Sequence, residues 1–177
     1  MCAGSALLAL QAFLDQKLGP QGYTRALSEL PPDRSAPVGG ILLPVNRYPT
    51  ESYFALLHAA APLVGEGFCE EFGEFAAEFE IHSIWRIILH FTSPAAFVER
   101  SGRLWSRFHD SGTWTVESKD KRIRGTLRDF ALVDAFFCRV MGAWIQRAGR
   151  MSAARFEVHH PECRAHGAAA CVFTGAW

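Results

Sequence analysis

The chain has 177 residues, of which 49% are hydrophobic and 20% are charged, a composition typical of a globular protein that argues against disorder. Eighteen basic residues balance eighteen acidic ones, so no net charge favours binding to nucleic acid or to an anionic membrane. The length favours a single domain, with a mainly helical part over residues 1–110 and a hairpin-helix-hairpin part over residues 111–177.

Localisation is predicted from what the sequence lacks. No apolar run reaches the roughly 18–20 residues of a membrane-spanning helix, and the N-terminal apolar segment has no basic start of the kind that signal peptides carry. We therefore predict a cytoplasmic protein without a membrane span. Because thiols stay reduced in that compartment, the five cysteines do not indicate a disulfide framework.

Helical periodicity dominates the first part of the chain. Apolar residues recur at helical spacing over residues 4–17 until Gly19 and Pro20 interrupt them, and a short helix is predicted over residues 21–30. Thr50 is a good N-cap for the helix that follows it.

A further helix carries an aromatic stripe with Phe68, Phe72, Phe75 and Phe79 at helical spacing, which predicts a core helix. The glutamates among these residues are predicted to form its solvated outer face. A last helix of this part is expected to begin at Pro94 and to end near His109.

The final part alternates hairpins and a helix. Trp114 and Val116 alternate with polar residues in a strand that is predicted to turn at Lys119-Asp120. An apolar helix follows with Gly149 as its C-cap, and a second hairpin closes the chain. The predicted fold class is α+β, with helices packed on an antiparallel sheet made of two hairpins separated by a helix.

No catalytic constellation is visible. The sequence contains no G-x-S-x-G, P-loop, dinucleotide-binding or H-E-x-x-H motif. Cys69 has no identifiable base partner. We therefore predict a binding or sensing domain that is not an enzyme.

Histidines outside the last hairpin leave two interpretations open. His82 and His90 are eight residues apart, about two helical turns, so both can face one side of a helix. Each is either a core histidine with a satisfied ring or a haem ligand. The haem-attachment motif C-x-x-C-H is absent, but a non-covalent haem site needs no such motif.

The stretch from His159 to Cys171 collects three histidines and two cysteines within thirteen residues. This density is compatible with a metal site, with a disulfide, or with ordinary turn residues that bind nothing.

The closing hairpin, written E/H-x-x-C-x₇-C-x-F and preceded by an apolar helix and an earlier hairpin, resembles the 4-vinyl reductase-type small-molecule-binding domain. The N-terminal half resembles a family of paralogous myxobacterial proteins. The wider fold group resembles subunits of the TRAPP complex and, more distantly, haem nitric-oxide-sensing domains. This resemblance implies an α+β domain around an apolar cavity, often a homodimer, that senses a ligand and catalyses no reaction.

The resemblance also implies two sites. Aromatic-sensing regulators with this type of domain carry a structural zinc, and the matching positions here are Cys138, His160, Cys163 and Cys171, where His160 replaces the expected acidic residue. In those sensors the ligand pocket is lined by aromatic residues and a histidine, and His90 and Trp114 are the counterparts implied here.

Three functions remain open at this level. The leading one is a sensor or adaptor domain that binds a small apolar or aromatic ligand, for which the 14 Phe and 5 Trp provide a pocket or, equally, an ordinary core. The second is a protein–protein scaffold with exposed apolar helix faces around residues 105–108 or 84–89. The third is a haem-based gas sensor.

Overall fold

The computed structural model describes residues 1–81, 105–152 and 155–177. Six α-helices lie whole within these ranges, in chain order α1 Gly4–Leu18, α2 Gly22–Ser28, α3 Pro32–Ser35, α4 Thr50–Val64, α5 Phe68–Glu80 and α6 Ala135–Arg150, and residues 105–108 add a helical turn. Six strands accompany them, β1 Cys2–Ala3, β2 Arg47–Tyr48, β3 Thr113–Lys119, β4 Arg122–Arg128, β5 Glu157–Glu162 and β6 Cys171–Ala176. The predicted α+β class is confirmed.

The helical part is organised around α1 and α5. Phe13 of α1 lies against three phenylalanine rings of α5, with ring centroids 5.4 to 5.9 Å apart, and the partners are Phe68, Phe72 and Phe75. Aromatic pairs at these separations stabilise a core beyond the area that they bury. The aromatic stripe therefore belongs to a core helix, as the sequence predicts.

The second part is a four-stranded antiparallel sheet in the order β3-β4-β6-β5, with α6 packed against it. Both predicted hairpins are present. The first turns at Asp120 and Lys121, one residue later than predicted, and both have positive φ (50° and 57°). Two consecutive residues with positive φ form the tight turn whose twist matches that of paired strands.

Helix α6 is capped at its N-terminus by Asp134 and extends one residue beyond Gly149, its predicted C-cap. The Asp134 carboxylate accepts hydrogen bonds from the backbone N–H groups of Phe136 (2.7 Å) and Phe137 (3.0 Å). Gly149 is not the C-cap, because the helix continues to Arg150. A Cβ atom at Gly149 would lie 2.2 Å from the Phe156 ring, so this glycine allows a close contact between helix and sheet.

The start of α4 also differs from the prediction. Thr50 is the first residue of the helix, preceded by Pro49, and its buried side chain makes no capping hydrogen bond. The sequence pattern identified the helix but assigned Thr50 the wrong position.

A short N-terminal sheet was not predicted, since two-residue strands show no periodicity. Cys2 pairs with Tyr48 across β1 and β2, and it also forms an isolated bridge with His109. The N-terminal amine lies 2.6 Å from the Asp110 carboxylate. The N-terminus thus fixes the position of the segment that carries His109.

None of the helices in the described ranges combines the length and the apolar character needed to cross a membrane.

Candidate functional site

An apolar cavity of about 140 Å³ lies where α4, α5 and α6 meet β3, β4 and the helical turn at residues 105–108. A cavity of about this volume holds a molecule the size of benzene. Most of its wall is aliphatic or aromatic, and the aromatic residues of the described lining are Tyr53, Trp105, Phe108, Trp114, Phe137 and Trp144.

Trp114 reaches the cavity because of its strand and a glycine beside it. Trp114 and Val116 are the half-buried residues of β3, and residues on either side of them are exposed. A Cβ atom at Gly125 of β4 would lie 2.3 Å from the Trp114 ring, so the indole lies over the strand only because Gly125 has no side chain. The structure thus places Trp114, a predicted ligand-binding residue, in the cavity wall. Its role there stays a prediction, and His90 lies outside the described residues.

His109 is the histidine in the described lining, and sequence reasoning did not assign it a role. Its ring packs on Trp105 (4.3 Å between ring centroids) and on Phe130 (5.0 Å). Nδ1 is buried and has no hydrogen-bond partner within the described ranges. Burial, together with the nearby positive charges of the N-terminal amine and Arg47, lowers the pKa of His109 to about 4, so the imidazole is neutral at neutral pH.

Glu80 is the charged residue of the described lining. Its Oε2 accepts a hydrogen bond from the Trp144 indole N–H at 3.0 Å. Burial raises the pKa of Glu80 to about 7, and the hydrogen bond from Trp144 opposes this rise only in part. The prediction that the glutamates of α5 are solvated is therefore wrong for this residue.

The other four glutamates of the same helix form ion pairs on its surface, and Glu71 pairs with Lys17 of α1. Glu70, Glu74 and Glu78 lie on the outer face of α5 and form exposed ion pairs with three arginines of α6, namely Arg139, Arg150 and Arg147. Glu80 instead follows the buried Phe72 and Ala76 at intervals of four residues, so it belongs to the core face. That spacing was the sequence signal for its position.

A second cluster contains the four predicted metal ligands. The ligand atoms of Cys138, His160, Cys163 and Cys171 all lie within 4.8 Å of one another. Sγ of Cys138 is 3.6 Å from Sγ of Cys171 and 3.9 Å from Sγ of Cys163. The structure thus brings together residues from α6, β5, its following turn and β6, and no disulfide joins them.

A β-bulge explains how His160 and Cys163 reach the same side of the sheet. Strict alternation from His160 would direct Glu162 inward, but the register shifts between His159 and Glu162. As a result Cys163 is buried, whereas Glu162 forms an exposed ion pair with Arg124 (2.8 Å).

Burial shifts the pKa values of two members of this cluster, Cys138 and His160, towards their neutral forms. Burial, and then the neighbouring Cys171 and Cys163 thiols, raise the pKa of Cys138. Burial lowers the pKa of His160, whose ring stacks on Phe173 at 4.3 Å. Nε2 of His160 is buried, and the described residues offer it no hydrogen-bond partner. The cluster therefore presents three thiols and one neutral imidazole to a common centre.

Two apolar helix faces, at residues 105–108 and 84–89, were predicted for the scaffold alternative, and the structure describes the first of them. Trp105 is buried and Phe108 lines the cavity, so residues 105–108 do not form the exposed apolar face that a scaffold would need. Residues 84–89 and His82 lie outside the described residues. The predicted homodimer and protein partner stay predictions.

No protein-family model matches this sequence, and no curated protein sequence matches it. Solved structures do resemble its fold. An H-NOX protein from Shewanella oneidensis in the Fe(II) ligation state has 13% sequence identity and a TM-score of 0.75, over 98% of this chain and 95% of that one. An Fe(II) unliganded H-NOX protein from K. algicida has 10% identity and a TM-score of 0.69, over 98% and 95% of the two chains.

A third similar structure is an oxygen-binding H-NOX domain related to soluble guanylate cyclases, with 9% identity and a TM-score of 0.70, over 98% of this chain and 94% of that one. The fold of this chain is thus similar to that of H-NOX proteins along almost its whole length. The predicted assignment to the 4-vinyl reductase and TRAPP-subunit group is wrong.

Proposed function

We propose that this chain is a sensor domain that binds a small ligand in the aromatic cavity, and that haem is the first candidate for that ligand. The observation that carries the proposal is the similarity of fold to the H-NOX proteins over 98% of the chain, because those proteins are described in Fe(II) and oxygen-bound states. This similarity favours the haem alternative over the leading prediction of a directly bound aromatic ligand.

The described lining fits haem in its donor chemistry. A neutral imidazole is the form of histidine that ligates a metal, and His109 presents a buried Nδ1 without a partner. Haem iron in several protein classes takes a histidine as its axial ligand. When bound, haem would supply the iron that holds a gas molecule. His109, or the predicted His90, would hold that iron.

The size of the cavity favours a second candidate. About 140 Å³ is below the roughly 300–1,000 Å³ of typical cofactor pockets, so a porphyrin needs more space than this cavity offers. A single aromatic ring enters without such displacement. Direct binding of a small aromatic molecule, the leading prediction from sequence, is therefore retained as the second candidate function.

Titration of the purified protein with haemin distinguishes the two candidates. Haem binding predicts a saturable one-to-one Soret band that is lost or shifted in His109→Ala or His90→Ala and unchanged in the matched control His159→Ala, whose ring is exposed on the sheet. A Soret band no different from that of free haemin would remove haem as the ligand. It would leave direct binding as the remaining function of the cavity.

We further propose that Cys138, His160, Cys163 and Cys171 bind a structural zinc ion. Tetrahedral zinc with Zn–S bonds of about 2.3 Å places two sulfur ligands roughly 3.8 Å apart. The observed separations of 3.6 and 3.9 Å support such a centre. Zinc would tie the closing hairpin to α6, and binding would release the protons that the buried thiols hold.

Metal analysis tests the zinc proposal independently of the cavity. Protein purified without chelators should contain one zinc per chain, and Cys163→Ala should lose it. Cys69→Ala is the matched control, because Cys69 is equally buried but lies outside the cluster. Wild-type protein without zinc, after reduction and addition of Zn²⁺, would contradict the proposal.

A further inference from the structure

Glu80 gives the cavity a chemical preference that an apolar wall alone does not explain. The Glu80 side chain is half-buried, and a carboxylate with limited access to water is costly unless a partner neutralises it. Within the described residues its one hydrogen bond comes from Trp144, and it forms no ion pair there, whereas the other four glutamates of α5 each pair with a lysine or an arginine. Oε1 accepts no hydrogen bond from the described residues, so it can accept one from a ligand.

The walls beside Glu80 suit a positive charge. Trp105, Trp114 and Trp144 line the same cavity, together with the Tyr53 ring. Tyr53 is close enough to Glu80 for the carboxylate to contribute, after burial, to the raised pKa of its phenol. The faces of aromatic rings attract cations within about 6 Å of the ring centroid, and tryptophan does so most strongly. The Glu80 carboxylate and the aromatic faces thus both favour a positively charged ligand.

We propose that the cavity selects a small aromatic ligand that carries one protonated amine, with Glu80 as the counter-ion and the tryptophan faces as its walls. The ammonium group would donate to Oε1 of Glu80, while Trp144 continues to hold Oε2 in place. The ring would fill the apolar part of the cavity, whose whole volume is close to that which holds one benzene molecule. An anionic ligand of the same size would be repelled.

This inference rests on the proposed role of the cavity as a ligand site, and it concerns the candidate in which the ligand binds directly. Neutral ligands would enter the same space, but they would leave the carboxylate without a charged partner. A charge-assisted hydrogen bond is about twice as strong as a neutral one. We therefore expect the amine to bind at least about tenfold more tightly than its neutral counterpart.

Isothermal titration of haem-free protein at pH 8 with benzylamine, benzyl alcohol and benzoate tests the inference. At that pH most of the Glu80 carboxyl is ionised, since its pKa is about 7. Benzylamine should bind at least about tenfold more tightly than benzyl alcohol, and benzoate most weakly. Glu80→Gln should abolish this preference without abolishing the binding of benzyl alcohol, and Glu74→Gln, on the outer face of the same helix, should preserve it.

The outcomes separate this inference from the function on which it rests. Equal binding of benzylamine and benzyl alcohol to the wild-type protein would overturn the role of Glu80 and leave the cavity as a ligand site. Tightest binding of benzoate would overturn it as well. Binding of none of the three compounds would overturn both the inference and the direct-binding candidate. The wild-type comparison decides the matter even if Glu80→Gln does not fold.

Discussion

Replacing Glu80 by glutamine is expected to change how stability depends on pH. Burial raises the pKa of this carboxyl from 4.5 to about 7. Between these values the folded protein holds a proton that the unfolded chain has released, so the free energy of unfolding falls as pH rises. Each pH unit in this window corresponds to about 1.4 kcal/mol. Glutamine has almost the same shape, can still accept the Trp144 hydrogen bond, and does not titrate.

His109 acts in the opposite direction and hides the effect in the wild-type protein. Its pKa falls from 6.5 to about 4 in the fold, so between these values the unfolded chain binds the extra proton and stability rises with pH. The two slopes largely cancel between about pH 4.5 and 6.5. Both proteins contain His109. Its contribution therefore cancels when the free energy of unfolding of wild type is subtracted from that of Glu80→Gln.

Urea unfolding of both proteins at pH 5 and pH 8 measures the effect. The free energy of unfolding of Glu80→Gln minus that of wild type should rise by roughly 2–3 kcal/mol from pH 5 to pH 8. Glu74→Gln serves as the control, since its side chain is exposed on the same helix. An unchanged difference between wild type and Glu80→Gln across this range would refute the partial burial of the carboxyl and its place in the cavity.

Three further predictions follow from particular contacts. Gly125→Ala should force the Trp114 indole away from β4, with a cost of about 1–3 kcal/mol and a red shift in tryptophan fluorescence, and an unshifted spectrum would contradict the packing. Asp134→Ala should lower the free energy of unfolding by about 1 kcal/mol through loss of the N-cap of α6, as urea denaturation would show, whereas no loss would argue against the cap. Chelation of the proposed zinc should lower the melting temperature of the wild type but not that of Cys163→Ala, and equal shifts would locate any metal elsewhere.

The elements that could be predicted from the sequence are those with local periodicity. The phenylalanines of α5 recur at helical spacing, and Trp114 and Val116 alternate along β3, so each pattern identifies its element without knowledge of the fold. The order of hairpin, helix and hairpin followed from the same signals. It gave the correct α+β class although the family assignment built on it was wrong.

The cavity could not be predicted, because distant segments create it. His109 is buried partly through the bridge to Cys2, which is more than a hundred residues away in the chain. Glu80 stands in a run of glutamates that composition alone assigns to the surface. Its spacing of four residues from the buried Ala76 marks the core face, and the contact with Trp144 of α6 shows what it meets there. The four members of the Cys/His cluster were selected through a family resemblance. Pro161 marks an edge strand or a bulge in β5, but it does not reveal that the bulge brings His160 and Cys163 to the same side.

Filling the cavity tests most directly the claim that it is the ligand site. Val116 lines the cavity and Thr115, its neighbour on β3, is on the exposed face, so Val116→Phe and Thr115→Phe add the same ring on opposite sides of the sheet. Quenching of tryptophan fluorescence by haemin and by benzylamine would be titrated in wild type and both variants, with circular dichroism to verify folding. We predict saturable binding of at least one ligand that Val116→Phe abolishes and Thr115→Phe retains. Equal binding to a folded Val116→Phe variant would contradict the claim.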